Sequence, residues 1–216
     1  MKYFWVEEEQ GGYFALGTDR DEQDSLNKLE VKTSNMGHLL NSRILEGNNP
    51  DIVRRRESVI RTLFSPEMIN VSGVRTLSKN EVRFRPGAYH NGNVWLWDNY
   101  YIAQGLERHG YLGLAYDLQK RIWNVVDKTK KFPEYAWGGD DPEPKLNNRI
   151  VDIWDEKNQI QNRLEQPPQE IQAWTVAAIL AAKRKHNPLA PAGERIPTKA
   201  TDPNKRRFEE EVLGKL

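Results

Sequence analysis

The chain has 216 residues, enough for one large domain or two small ones, and its 32 Lys and Arg residues nearly cancel its 31 Asp and Glu residues. The net charge of +1 gives no electrostatic reason to expect nucleic acid or a membrane surface as partner, and no apolar run approaches the ~20 residues of a transmembrane helix. The absence of cysteine excludes disulfides and thiolate chemistry, and together with a start that lacks a secretory signal it leads us to expect a cytoplasmic protein.

The first half of the chain alternates helical patterns with long polar loops. Apolar residues recur with the period of a helix in four segments, each ended by Gly or Pro or by a short turn: 34–47, 50–64, 97–109 and 112–128. Residues 65–93 and 131–149 lack that period, and loops of this length are more typical of functional segments than of simple connectors.

The second half is less uniform. Residues 149–165 fit a strand, a helix or both, whereas residues 172–182 predict a helix that is apolar nearly all round and therefore buried. Residues 183–207 hold eight basic and two acidic residues. We interpret residues 187–216 as a polar, basic, exposed tail whose composition is compatible with disorder. A nucleic-acid or localisation role for this tail is the less favoured reading.

The stretch "YHNGNVWLWDN", Tyr89–Asn99, is too polar for a core strand and too aromatic for an ordinary surface loop. Indole and phenol rings can stack on the C–H face of a sugar, while amides and carboxylates bind its hydroxyls. The stretch therefore suits a polyhydroxylated ligand. The candidate ligand-binding residues here are Tyr89, His90, Asn91, Trp95, Trp97 and Asp98.

Several of these residues also have purely structural interpretations. Asp98 lies at a predicted helix start, where it can cap the helix, bind a sugar hydroxyl or take part in catalysis. His90 is either a structural hydrogen-bond partner or a ligand contact, beside a Gly92 that permits an unusual turn. At least one of the loop tryptophans is expected only to pack. The four His residues are scattered, so we expect no metal site and no cofactor.

Six segments together resemble the C-terminal half of the glycogen-debranching, amylo-α-1,6-glucosidase-like enzymes of the six-hairpin glycosidase superfamily. They occur in the family's order over about residues 3–182: "YFWVEEEQGGYFALGTD", "TSNMGHLL", "GVRTLS", "YHNGNVWLWDN", "FPEYAWGG" and "QAWTVAA". Trehalase-like, processing-glucosidase-like and rhamnosidase-like enzymes share the same architecture. In one departure, Leu96-Trp97 stands where the family commonly has Pro-His, a change that bears on the substrate.

The resemblance implies an all-α fold, an (α/α)₆ barrel of twelve helices, of which residues 1–186 supply about half, with long loops that carry short strands. It also implies that the acid that protonates the leaving oxygen lies in an earlier half of the family's catalytic domain. A partner is therefore expected, either that N-terminal half or a second copy of the chain, because a half-barrel leaves inner helices with uncovered apolar faces.

Glycoside cleavage needs two carboxylates, and Glu134 is the candidate for the base because the Pro133-Glu134 step resembles the family's position for it. Lys130 and Lys131 precede it and are expected to favour its ionised form. Three nearby acidic residues are rivals that look more like a solvated acidic turn: Asp140, Asp141 and Glu143. Trp137 and Gln172 are further candidates for sugar binding, and Trp174 is core or pocket wall.

The leading hypothesis is a glycoside hydrolase fragment that acts on α-glucosidic or related oligosaccharide linkages by carboxylate acid–base catalysis. The alternatives are a catalytically inactive carbohydrate-binding module and a helical interaction module that binds no sugar.

Overall fold

The computed structural model describes residues 3–9, 11–187, 189 and 195–216. These residues include six α-helices: α1 Asn35–His38, α2 Pro50–Leu63, α3 Leu96–Arg108, α4 Leu112–Thr129, α5 Ala173–Lys185 and α6 Pro203–Leu213. No helix in this described part is long and apolar enough to cross a bilayer.

Ten short strands form five antiparallel pairs among the described residues. They are β1 Trp5–Glu8, β2 Gly11–Phe14, β3 Gly17–Arg20, β4 Leu26–Leu29, β5 Ile69–Asn70, β6 Gly73–Val74, β7 Val94–Trp95, β8 Tyr135–Ala136, β9 Val151–Asp155 and β10 Ile160–Glu165. Consecutive strands pair with each other, and only β7 and β8 join distant parts of the chain. The segment that fitted either strand or helix forms the β9–β10 hairpin.

Three of the four periodic segments form the predicted helices. Helix α2 begins at Pro50 and is capped by Asn49, whose side chain accepts a hydrogen bond from the Asp51 amide at 2.9 Å. Helices α3 and α4 are separated by a turn around Gly110, whose φ of +78° favours glycine.

The prediction of one helix over 34–47 is wrong in its length. Helix α1 covers only Asn35–His38, and two 3₁₀ turns follow it at Leu39–Asn41 and Arg43–Leu45. The break is at Ser42, whose backbone is extended and whose side chain accepts a hydrogen bond from the Ile44 amide at 3.3 Å. A serine hydroxyl that bonds a nearby backbone amide competes with helix formation, and this interaction replaces the expected helical turn.

The main hydrophobic core lies between the N-terminal strands and five helices. Buried side chains of β1, β2, α1, α2, α3, α4 and α6 contribute to it. The packing of α3 against α1 and the 3₁₀ turn after it is close, because a Cβ added at Gly37 would lie 2.8 Å from Ile102 Cγ1 and one at Gly105 would lie 2.5 Å from Leu40 Cβ. Glycine at both positions therefore lets the two segments touch.

A smaller core joins the second half of the chain. It includes Val94 and Ala136 of the β7–β8 pair together with buried residues of α3, α4 and α5. The β7–β8 pair thus rests on helices that belong to three different parts of the sequence.

Helix α5 corrects the expectation of a helix buried on all sides. Ala178, Ile179 and Ala182 are buried, but Trp174 is 64% exposed and Leu180 is 61% exposed. The helix packs against α3 and α4 on one side, and the described residues do not cover its other side. Helical packing of this kind is consistent with a helical glycosidase domain, and the complete (α/α)₆ barrel stays a prediction.

Residues 187–216 were expected to form an exposed tail, and this expectation is wrong for the last part of the segment. Residues 203–213 form α6, whose Phe208 and Val212 are buried in the main core. Asp202 caps the helix by accepting a hydrogen bond from the Asn204 amide at 2.8 Å, and Pro203 follows at the first helical position. The start of the expected tail, at 188 and 190–194, lies outside the described residues.

Glu209 ties α6 to the start of α4. It is only 3% exposed, and its carboxylate accepts hydrogen bonds from the Gly113 amide at 2.7 Å and from the Ala200 amide at 3.0 Å. The N-cap residue of α4, Tyr111, makes no capping hydrogen bond with its side chain. The carboxylate of Glu209 therefore binds an amide that helix geometry leaves free, at the end where negative charge is stabilising.

We predict that Glu209→Ala lowers the free energy of unfolding by about 1–3 kcal/mol, because two buried amides lose their acceptor. Thermal unfolding followed by circular dichroism measures the change. Glu210→Ala, at an exposed position of the same helix, is the control and is expected to change stability by less than about 0.5 kcal/mol. Equal melting temperatures for the two variants would contradict this role of Glu209.

Candidate functional site

The backbone around Glu134 is attached on two sides. Immediately after it, β8 pairs with β7 so that Tyr135 lies opposite Trp95. On the other side, the Glu134 amide donates to the Gln169 carbonyl at 2.9 Å, and the Thr175 hydroxyl donates to the Pro133 carbonyl at 2.8 Å. The segment that carries Glu134 is thus fixed between the Tyr89–Asn99 stretch and the start of α5.

The Glu134 side chain lies beside the aromatic residues that the sequence singled out. It is 7% exposed, and the Tyr89 hydroxyl donates to its Oε1 at 2.7 Å. The Tyr89 ring makes edge contacts with Trp95 and Tyr135 at centroid distances of 4.8 Å and 5.5 Å. The Trp95 indole N–H donates to the Tyr89 carbonyl at 3.0 Å. The structure therefore brings Tyr89, Trp95 and Glu134 together, as a binding-site interpretation requires.

Tyr89 acts as a hydrogen-bond donor in this arrangement. Its hydrogen bond to Glu134, together with burial and the charge of the same carboxylate, raises the pKa of Tyr89 to about 12. The phenol therefore keeps its proton at neutral pH and can hold one oxygen of Glu134 in a fixed direction. The other oxygen, Oε2, has no hydrogen-bond partner within the described ranges.

Lys130 and Lys131 were expected to favour the ionised form of Glu134. For Lys131 this expectation is wrong, because Lys131 pairs with Glu170 instead. Lys130 ends α4 in a left-handed conformation with a φ of +58° and is exposed. Among the ion pairs of the described residues, none includes Glu134. Its strongest polar contact is therefore the neutral hydroxyl of Tyr89.

The three rival carboxylates all form ion pairs with basic residues. Asp140 binds Arg75 and lies 2.9 Å from the Lys79 ammonium, and these two cations lower the pKa of Asp140 despite some burial. Asp141 pairs with Lys145 at 2.7 Å, and Glu143 pairs with Lys128 at 3.0 Å. The acidic turn at 140–143 is therefore neutralised by neighbouring cations.

A loop arginine is usually solvated. Arg75 is instead part of the framework of the fold. It is completely buried, and its guanidinium donates to the Gly138 carbonyl at 2.6 Å and to the Ile69 carbonyl at 2.9 Å. Burial lowers the pKa of Arg75, an effect that Asp140 opposes. The residue links the loop after β8 to the β5–β6 pair, and nothing in its position in the sequence predicts this.

Asp98 does not cap α3, so that interpretation is wrong. The N-cap position is Trp95, and Asp98 lies in the first turn with 8% of its surface exposed. Its Oδ1 binds the Nε2 of His38, the last residue of α1. This hydrogen bond and the charge of Asp98 raise the pKa of His38, and burial opposes the shift without cancelling it. His38 is not among the residues predicted from the sequence to lie at the site, although its segment "TSNMGHLL" was singled out.

His90 and Asn91 are exposed and lie next to the Tyr89, Trp95 and Glu134 cluster. The His90 ring stacks on Trp95 at 5.7 Å with an interplanar angle of 23°, and it contacts the edge of Tyr89 at 4.6 Å. Gly92 has a φ of +140°, which confirms the predicted unusual turn, and a Cβ there would lie 2.6 Å from the Phe84 ring. The turn leaves both preceding side chains accessible to a ligand.

The remaining candidates fall into separate neighbourhoods. The Trp137 ring packs against the backbone of Gly87, where a Cβ would lie 2.9 Å from it, and the residue is partly exposed. Trp97 contacts Trp174 at a centroid distance of 5.7 Å. Gln172 precedes α5, and its buried Oε1 has no hydrogen-bond partner in the described part of the chain.

One comparison connects this geometry to known proteins. Residues 46–138 match the family model of the mannosylglycerate hydrolase MGH1-like glycoside hydrolase domain. The match covers less than half of the chain, yet it includes both the Tyr89–Asn99 stretch and Glu134. It supports a glycosidase-type domain and does not single out the debranching enzymes. No curated protein matches the chain.

We predict that His38 titrates above its ordinary value of 6.5 and that Asp98→Asn moves its pKa below 6.5, because burial then acts without a compensating carboxylate. Nuclear magnetic resonance titration of the His38 ring protons measures both values. Because the pKa is raised in the folded state, the pair stabilises the protein below pH 6.5 and this stabilisation is lost as pH rises through the folded-state pKa. Identical titration curves in the two proteins would contradict the pairing.

Proposed function

We propose that this chain carries the base-side half of a glycoside hydrolase active site that acts on α-glucosidic or related oligosaccharide linkages. The observation that carries the proposal is Glu134, a nearly buried carboxylate that is not ion-paired in the described structure and is bound by an aromatic hydroxyl. The glycoside hydrolase family match over residues 46–138 supports it independently.

In this proposal Glu134 is the base that removes a proton from the attacking water. One carboxylate oxygen is held by Tyr89, so the other is directed towards the water and the sugar. A base that is fixed on paired backbone segments needs little reorganisation when the reaction begins. The chemistry requires no cofactor, because proton transfer by two carboxylates is sufficient for glycoside hydrolysis.

Sugar binding is assigned to the polar and aromatic residues around Glu134. Trp95 and His90 present neighbouring rings, and Asn91 adds an amide that can bind hydroxyl groups. Gln172 has a buried side-chain oxygen without a partner in the described residues, and a sugar hydroxyl can satisfy it. We further propose Trp97 and Asp98 as sugar-binding residues of the adjoining surface.

Two observations lead to the proposed substrates. The sequence resemblance favours the debranching, amylo-α-1,6-glucosidase-like enzymes and therefore α-glucosides. The matching family model is described by mannosylglycerate hydrolase, so mannosylglycerate belongs in any substrate panel. A cytoplasmic location is part of the same proposal, since the chain has no cysteine.

The leaving-group acid is proposed to come from outside this chain. Within the loops near Glu134, the other carboxylates are engaged: Asp140, Asp141 and Glu143 with cations, and Asp98 with His38. A separate N-terminal half-barrel or a second copy of the chain is the proposed source of the acid. Either partner can also cover the exposed side of α5.

Because the other carboxylates near Glu134 are already bound by cations or by His38, a second candidate function is also favoured. A chain that keeps a sugar-binding surface without an available acid would bind oligosaccharides and not cleave them. A catalytically inactive carbohydrate-binding module, or a helical interaction module, is therefore the alternative.

We predict that any sugar release by the purified chain is abolished by Glu134→Gln while the fold is retained. The assay uses maltose, isomaltose, trehalose, a branched α-glucan and mannosylglycerate, with circular dichroism to check the fold. A loss of at least a hundredfold in kcat is expected, since a general base typically contributes 10²–10⁴-fold.

Glu143→Gln is the matched control, because this exposed carboxylate pairs with Lys128 and is not expected to affect turnover. Turnover by the wild type that persists in Glu134→Gln would refute the assignment of the base. Binding of these sugars without turnover by a folded wild type is expected both of a half active site without its acid-supplying partner and of the inactive binding module.

A further inference from the structure

Four aromatic rings follow one another across the starts of α3 and α5. His38 contacts Tyr101 at a centroid distance of 5.1 Å, Tyr101 lies 6.5 Å from Trp97, and Trp97 lies 5.7 Å from Trp174. We call this set, His38, Tyr101, Trp97 and Trp174, the aromatic strip. Its members come from three helices that are distant in sequence.

The strip is open to solvent. Trp174 is 64% exposed and Tyr101 is 36% exposed, and the His38 side chain is 39% exposed. Contiguous exposed apolar surface of this kind marks a place where a soluble protein binds something. Most of its area comes from rings with a flat face and a polar edge, a composition that suits an amphipathic ligand better than a purely apolar one.

A fixed polar pair lies at one end of the strip. The carboxylate of Asp98, whose side chain is 11% exposed, holds Nε2 of His38. The other ring nitrogen, Nδ1, has no hydrogen-bond partner among the described residues. With Nε2 engaged by a carboxylate, Nδ1 accepts a hydrogen bond in the neutral ring and donates one in the protonated ring. A hydroxyl group can serve either state.

We propose that the aromatic strip is a carbohydrate subsite that binds several units of a neutral oligosaccharide, with His38 contacting a sugar hydroxyl. Rings that succeed one another in this way can each pack on a different sugar, so the ligand is a chain and not a single monosaccharide. The subsite rests on the proposed function, since it would place an oligosaccharide on the surface that adjoins Glu134. Trp97 and Asp98 follow Trp95 closely in the chain, so the strip adjoins the cluster around Trp95.

Maltoheptaose is the probe for this proposal. In a ¹H–¹⁵N correlation spectrum, the indole signals of Trp97 and Trp174, assigned by Trp→Phe variants, are expected to shift as maltoheptaose is added. The indole of Trp154, which is 56% exposed on the β9–β10 hairpin, is expected to stay unchanged. Calorimetry is expected to show at least a tenfold weaker affinity for Trp174→Ala.

Two variants provide matched controls for calorimetry. Trp154→Ala removes an equally exposed tryptophan elsewhere, and Leu180→Ala removes an exposed apolar residue from the same helix without touching the strip. Both are expected to bind maltoheptaose as the wild type does.

The proposal is overturned if saturating maltoheptaose leaves the Trp97 and Trp174 signals unchanged, or if Trp174→Ala binds with full affinity. Signals that depend on protein concentration and not on sugar would also overturn it, by making the strip a contact between chains. If maltoheptaose shifts these signals and the chain alone hydrolyses no substrate, the subsite stands, and the hydrolase proposal then requires a partner that supplies the acid.

Discussion

The attachment of one short backbone segment on both sides is the constraint on which the candidate site depends. Residues 132–136 pair with β7 on one side and are bonded to residues 169–175 on the other. These contacts join three stretches of sequence that are 35 or more residues apart. Without them, Glu134 would lie on a free loop like its acidic neighbours, and the Tyr89 hydroxyl would have no fixed carboxylate to bind.

Electrostatic pairing then distinguishes the acidic residues of the loops. Cations engage the carboxylates at 140, 141 and 143, while Glu134 receives a neutral hydroxyl and Asp98 receives a histidine. A buried carboxylate without a cation is unfavourable for folding, because removal from water penalises its charge. Among the described residues Glu134 has no paired cation, and it is held by the Tyr89 hydroxyl, which is why Glu134 and not the acidic turn supports a catalytic proposal.

Local patterns were sufficient to predict α2, α3 and α4, because their apolar periods are long and their ends carry Asn49, Gly110 or an adjacent turn. The single helix expected at 34–47 failed because a serine side chain interrupted it. Helix α6 was missed because its basic composition outweighed a weaker signal, an Asp202-Pro203 start followed by Phe208 and Val212 on one face.

The residues of the candidate site could be singled out from the sequence, but the contacts among them could not. The aromatic and polar residues of Tyr89–Asn99 led to the prediction of sugar binding, and the family resemblance at Pro133-Glu134 led to the prediction of a catalytic carboxylate. The contacts that define the site, however, join Tyr89 to Glu134 across 45 residues and His38 to Asp98 across 60 residues. No periodicity reports such pairs, because they follow from tertiary packing. The packing of Trp137 on Gly87 is likewise a tertiary contact that the sequence does not predict.

The most direct test of the central claim is a crystal structure of the Glu134→Gln variant soaked with maltotetraose. The account predicts a glucose unit that contacts Trp95, with its glycosidic linkage facing the side chain at position 134 and the Tyr89 hydroxyl nearby. Two results would contradict the claim that Glu134 belongs to a carbohydrate site. One is that no sugar is bound near Glu134 at a saturating sugar concentration, and the other is that sugar is bound only on a surface remote from β7 and β8.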